Sequence, residues 1–354
     1  MTMTKGQVRF LAAALLCATA ARSQPAVEHG GGSPTRATAT PAVHVYADRA
    51  RGELVVESRA VDLAARSGHA QVLPVQAASP VGGWLHGYAV ELVDARGRVV
   101  PRQMLHHVIV VVPNRRGLFN PIMLRIVAAG HETPEVRLPS MVGYRLRRGD
   151  PLLIAGMLDN ESASAYRGVR IRVRMPLKPA DAWIRPISIV PFSMDVMPTG
   201  TQRAWNLPPG RTQRSWEGSP AVAGRILGIG GHLHRYGVAL RLEDVTAGKT
   251  LWVGRPERDP SGEVLRMPTH TFLRPVSVRP DHRYRLTAVY ENPTGRMIPG
   301  GGMGAAGGAV IPADPARWPA IDARSQEYQL DLRANSTDPA AHSGDMHGMP
   351  GMHH

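Results

Sequence analysis

Two short histidine patterns have the spacing of metal ligands: His106-His107 and His232-Leu233-His234. Neutral imidazole binds copper, zinc, iron and nickel alike. Residues two apart on a strand share a face, so His232 and His234 can chelate one ion. Adjacent residues face opposite ways, so His106 and His107 can share an ion only where their strand twists or begins. The run Gly228-Ile229-Gly230-Gly231 before the H-x-H pair lets a ligand or another backbone approach closely. A third group closes the chain, with His342, Met346, His347, Met349, Met352, His353 and His354. Thioethers select Cu(I) and imidazole accepts both copper oxidation states, so this mixture is a copper-capture composition. Each pattern has a bland alternative: one ring in the core and one in water, two exposed strand histidines, and a low-complexity end.

Strands must position these side chains. The 37 Gly and 31 Pro interrupt the Val-, Ile- and Leu-containing runs too often for long amphipathic helices. Strands are expected at 44–46, 52–58, 84–93, 106–112, 121–128, 143–147, 152–158 and 169–175, then at 193–196, 223–234, 238–243, 251–254, 276–278, 282–290 and 328–332. The fold class expected is all-β, two antiparallel β-sandwich (jelly-roll-like) domains in tandem. The 176–191 stretch is the interdomain connection, placing the domains at 41–185 and 186–335. Residues 24–40 form a disordered leader and 336–354 a disordered tail. No fixed period suggests a repeat architecture.

Lys5 and Arg9 precede the apolar run Phe10 to Ala20, which reads as a signal peptide over 1–23 and places the protein outside the cytoplasm, periplasmic or secreted. Cys17 lies inside that segment, so the mature chain would have no thiol and no disulfide. No other stretch is apolar enough for a transmembrane helix. The formal charge of +14 is spread without a continuous basic run and only 5% of residues are aromatic, which argues against a nucleic-acid partner.

Taken in order, these motifs resemble the copper type II, ascorbate-dependent monooxygenases, the family of the peptidylglycine α-hydroxylating and dopamine β-monooxygenases. His106-His107 looks like the family's first-domain pair and His232-Leu233-His234 like its second-domain H-x-H; Arg137-Leu138-Pro139 with Val142-Gly143-Tyr144-Arg145 is similar to its connecting strand region. The resemblance runs from about residue 80 to 332. It implies an electron-transfer copper on His106, His107 and Met157, the last standing where the family has histidine, with His131 as a substitute. It implies an oxygen-activating copper on His232, His234 and Met303, with Met297 as a fallback. Gly230 stands where the peptide-amidating members carry a substrate-gripping arginine, and the family's disulfides are missing, so peptide amidation is the least expected activity.

Two readings of function compete. The first is a copper-dependent monooxygenase that uses dioxygen and an ascorbate-like reductant on a small-molecule substrate, with two coppers in the folded domains and more on the tail. The second is a non-catalytic copper-binding protein for storage, delivery or resistance. A zinc hydrolase is a third class; it would want a carboxylate beside the H-x-H pair, and none lies within eight positions of His232.

Overall fold

The computed structural model describes residues 44–198 and 203–336. The chain is all-β: two sandwiches in tandem, with one α-helix among the described residues. In the first, Val45–Asp48, Glu53–Glu57, Tyr166–Pro179 and Gly87–Val93 face a four-stranded sheet ordered Gly68–Ala78, Pro151–Asn160, Leu105–Arg116, Met123–Ala129. Leu54, Val56, Ile171 and Val173 share one core with Val108, Val110, Leu152 and Ile154. In the second, Ile187–Asp195, Gly304–Pro312, Gly224–Leu233 and His270–Val278 face Gly210–Gly218, Tyr284–Asn292, Gly237–Asp244 and Lys249–Gly254. Phe192, Ile226, Ile229, Leu240 and Leu286 lie in that core.

The alternation that builds these sheets is plainest in Tyr166–Pro179. Val169, Ile171, Val173 and Met175 are buried, while Arg172 and Arg174 point out to Glu57 and Glu91 at 2.5 and 2.8 Å. Part of the arginine excess is therefore an ion-paired, largely covered sheet face.

Pairing is antiparallel everywhere among the described strands except at one join. Val142–Leu146 runs parallel to Ile187–Asp195, so one sheet continues from the first sandwich into the second. The outer face of the first sandwich's four-stranded sheet meets the second sandwich in a seam. Ile109, Val111, Leu153 and Ala155 pack there with Ala305, and Tyr328 and Leu332 cover them. Of the rows the second sandwich brings to this face, one is Asp195, Ala305 and His232, and the next consists of small residues alone: Ser193, Gly307 and Gly230. Side chains this small let two sheet faces approach closely.

The 328–332 segment, expected as a strand, belongs to the helix α1 (Gln326–Ser336). Tyr-x-Leu-x-Leu spacing over five residues fits a strand, yet Tyr328, Asp331, Leu332 and Asn335 also fall on one helical face. Ser325 decides the matter, because its hydroxyl accepts from the Tyr328 amide and caps the first turn. The helix is then pinned to the seam by Asp331, which accepts from the Met123 amide at 3.0 Å, from Arg125 at 2.7 Å and from Arg203. Gly68–Ala78, Gly210–Gly218 and Gly304–Pro312 were not expected as strands at all. No helix of the described residues is long and apolar enough to cross a membrane.

Candidate metal centre

Leu105–Arg116 begins with a β-bulge. His107 pairs with Met157 and Leu105 with Leu158, so His106 is one residue more than the partner strand can match. A bulge turns two successive side chains toward one side. The two imidazoles accordingly lie together, ring centres 4.5 Å apart, although their parity alone would separate them. Met157, the cross-strand partner of His107, is 7% exposed and lies outside the three apolar clusters.

In the second sandwich the arrangement is regular. Gly231 is aimed at Leu240 in the sandwich core, so by alternation Gly230 and His232 face the seam. His234 follows one step beyond the strand end, its ring 5.1 Å from that of His232. On the neighbouring strand Gly304 faces Ala288 in the core while Ala305 packs in the seam. Met303, 1% exposed, has the parity of Ala305 and belongs to none of the apolar clusters. The Tyr290 hydroxyl fixes both positions: it accepts from the His234 amide at 2.8 Å and the Met303 amide at 3.0 Å, and donates to the Met303 carbonyl.

The two ligand sets meet. The His106 ring lies 5.4 Å from that of His234, and 4.5 Å from that of His69, a residue on the edge strand Gly68–Ala78. The expectation of two separate centres facing across a gap is therefore corrected to a single contiguous imidazole cluster spanning the seam. Burial, and after it the neighbouring imidazoles, hold His106, His107 and His234 well below the usual histidine range. These rings are neutral at physiological pH and keep a lone pair each.

Glu132 defines the deepest ligand. It accepts from Nδ1 of His232 at 2.7 Å and from the Thr133 hydroxyl at 3.0 Å. Burial works to raise this carboxyl, but His232 and His131 outweigh it and bring it down to about 2. Its loop is clamped by Arg102, which donates to the carbonyls of Thr133, Gly130 and His131. A Cβ at position 130 would sit 2.2 Å from the Glu132 carboxylate, so glycine there leaves the carboxylate its place. Glu132 engages Nδ1 of His232, which leaves Nε2 as the other ring nitrogen, and this atom is buried without a partner, as is Nε2 of His234. A carboxylate–histidine pair with a free second nitrogen is the arrangement that orients a metal-ligating imidazole. Imidazole nitrogens together with two buried methionines at neighbouring backbone positions are a donor set that fits copper, Cu(I) above all.

Of the residues expected as ligands, His106, His107, Met157, His232, His234 and Met303 all come to this end of the seam. Met297 is 52% exposed, which removes it as the fallback. His131 is not among the touching rings; it lies 3.9 Å from Glu132 and 3.7 Å from Glu263. The tail residues His342, Met346, His347, Met349, Met352, His353 and His354 lie outside the described residues, as do the expected signal peptide and leader.

Sequence reasoning missed His69, Asp159, Glu132 and Tyr290. His69 went unseen because Pro74 breaks the alternation of its strand. The strand is an edge strand with a register shift beside that proline, a position where Pro is tolerated. The argument that the H-x-H pair has no carboxylate is overturned, since Glu132 arrives from 100 positions away. It serves as a hydrogen-bond acceptor for His232, so it is not placed as a hydrolytic base.

No protein-family model matches the chain, and no curated protein does. Among solved structures the chain is similar to the STIV MCP at 7% identity, covering 73% of this chain and 97% of that one, with a TM-score of 0.34. It is also similar to the major capsid protein P2 from bacteriophage PM2 at 11% identity, covering 74% and 98%, with a TM-score of 0.31. At that overlap neither says anything about chemistry.

Proposed function

We propose that this chain is an exported copper-binding protein whose metal is held in the seam by His107, His232, His234, Met157 and Met303, with Glu132 orienting His232. One observation carries the reading: the buried Nε2 atoms of His232 and His234 have no partner in the protein. A buried polar atom without a partner costs about 1–3 kcal/mol, and a metal ion bound at these nitrogens would remove that cost. Copper, when bound, supplies a one-electron couple that no side chain of the seam has.

The finer reading is a monooxygenase that uses dioxygen and an ascorbate-like reductant on a small-molecule substrate. It draws on the motif resemblance and on the convergence of donors from both sandwiches. Storage or delivery of copper draws on two other features: the soft donors are nearly solvent-free, and glycine stands at 230 where a substrate-gripping cation would be needed. The test uses the chain with 337–354 removed, loaded with copper. Reductant-dependent oxygen uptake with a hydroxylated product, abolished in His234→Ala, is the expected outcome for an oxygenase. Retained copper with no uptake supports storage or delivery, and loss of all copper with the tail overturns both.

A further inference from the structure

His106 touches three imidazoles, and its surroundings divide by chemistry. Inward lie His107, which pairs across the ladder with Met157, and His234. Outward lie His69 and Asp159, cross-strand partners whose Nε2 and Oδ2 are 3.3 Å apart. One ligand atom from each of His69, His106 and Asp159 falls within 4.8 Å of the other two. Three adjacent strands deliver them, and the bulge at His106 completes the group.

An ion pair between His69 and Asp159 accounts for their contact, but not for the third imidazole turned into the same group. Nor does it account for Oδ1 of Asp159, which is buried and without a partner. Gln71, two residues along from His69 on the same face, likewise has a buried, unpartnered Oε1. Acceptors gathered without donors are what a cation site looks like before the cation is added.

We infer that His69, His106 and Asp159 form a second metal site at the mouth of the seam, taking a divalent first-row ion. Two imidazoles and a carboxylate contain no sulfur, and such a set suits Zn(II), Cu(II) or Fe(II), whereas the inner imidazole–thioether set suits Cu(I). Three protein donors leave coordination positions open to water or a small ligand. The side chain of His69 is 57% exposed and that of Asp159 21%, so an ion reaches this site without entering the seam. The outer site stands whether or not the inner one holds copper.

The test is Zn(II) and Co(II) binding to the full chain, read as equivalents bound at equilibrium and as Co(II) visible absorption. His69→Ala and Asp159→Asn should each remove one equivalent, or weaken it by on the order of 100-fold, the upper end of what even an outer-shell change costs. Met157→Leu and Met303→Leu should leave that equivalent in place while lowering Cu(I) binding. Unchanged Zn(II) stoichiometry and affinity in both His69→Ala and Asp159→Asn overturn the site. His69 lies on an exposed edge, so His69→Ala folds and decides by itself should Asp159→Asn fail to fold. If Met303→Leu leaves Cu(I) binding unchanged, the inner copper reading fails and the Zn(II) result stands.

Discussion

The two histidine pairs reach the same place by different backbones. His232 and His234 use the ordinary two-residue period, with core-facing Leu233 between them, so the strand loses nothing by presenting both. His106 and His107 are adjacent and reach one side only because the ladder gives up a residue at the bulge. The regular pair is also the clamped one, with Glu132 on His232 and Tyr290 on the backbone of His234. In the bulged pair His107 is buried opposite Met157 while His106 is half-buried at the mouth. A regular strand thus yields a rigid chelating pair, and a bulge yields one fixed ring and one that turns toward a different set of donors.

The largest expected effect tests the clamp. His232→Ala removes the imidazole from a carboxylate that is almost fully buried, and breaking a buried pair on one side should cost about 3 kcal/mol in urea unfolding. His106→Ala should cost less, about 1 kcal/mol, because its ring is not held by a buried carboxylate as that of His232 is. Equal losses would show that the two pairs are not held differently. Acidification comes next. The folded chain holds His107 below the usual histidine range, through burial first and then its neighbours, so below pH 6.5 the unfolded chain takes up a proton that the folded chain refuses. Stability is therefore lost as pH falls, by about 2 kcal/mol for a fully buried imidazole at pH 5. Asp195 works the other way: burial raises it to about 6 against the pull of Arg203, so its own contribution improves as pH falls through 6. A metal-free melting temperature that drops between pH 7 and 5 is expected, and a rise would mean that Asp195 outweighs the imidazoles.

How much of this was legible in the sequence follows from the same contrast. The all-β class was legible because alternation and turn residues are local signals. The H-x-H pair was legible because its spacing equals the strand period. That His106 and His107 share a side was not, because a bulge is set by the partner strand, and neither His107 opposite Met157 nor Leu105 opposite Leu158 can be read from one segment alone. Glu132 and His69 were illegible for a related reason: their roles exist only once strands far apart in the chain are neighbours. Gly304–Pro312 escaped notice because Gly-Ala-Ala-Gly-Gly-Ala has little strand propensity; the strand forms since it is paired on both sides and small residues are what the seam admits.

Tyr290→Phe sharpens the contrast at smaller cost. It leaves the His234 and Met303 amides without their acceptor, which should cost roughly 1–2 kcal/mol, and it loosens only the second sandwich's ligands. Cu(I) affinity should fall while the Zn(II) equivalent at the mouth persists, and a variant that loses both shows that the two sets are one unit. The smallest effect expected is that of His131→Ala. This residue shares the loop of Glu132 and was the substitute ligand by sequence, yet its ring faces Glu132 at 3.9 Å and Glu263 at 3.7 Å and touches no other imidazole. The loop's shape comes from Arg102 and Thr133 instead: Arg102 binds three of its carbonyls, and the Thr133 hydroxyl accepts from the Gly130 amide. Removing the His131 ring should therefore change stability by no more than about 0.5 kcal/mol and leave copper stoichiometry intact, as for a partly exposed residue outside the clamp. Should copper be lost in His131→Ala with the fold preserved, the first sandwich's ligand set would have to be redrawn around this loop, and the bulge would no longer be what distinguishes the two pairs.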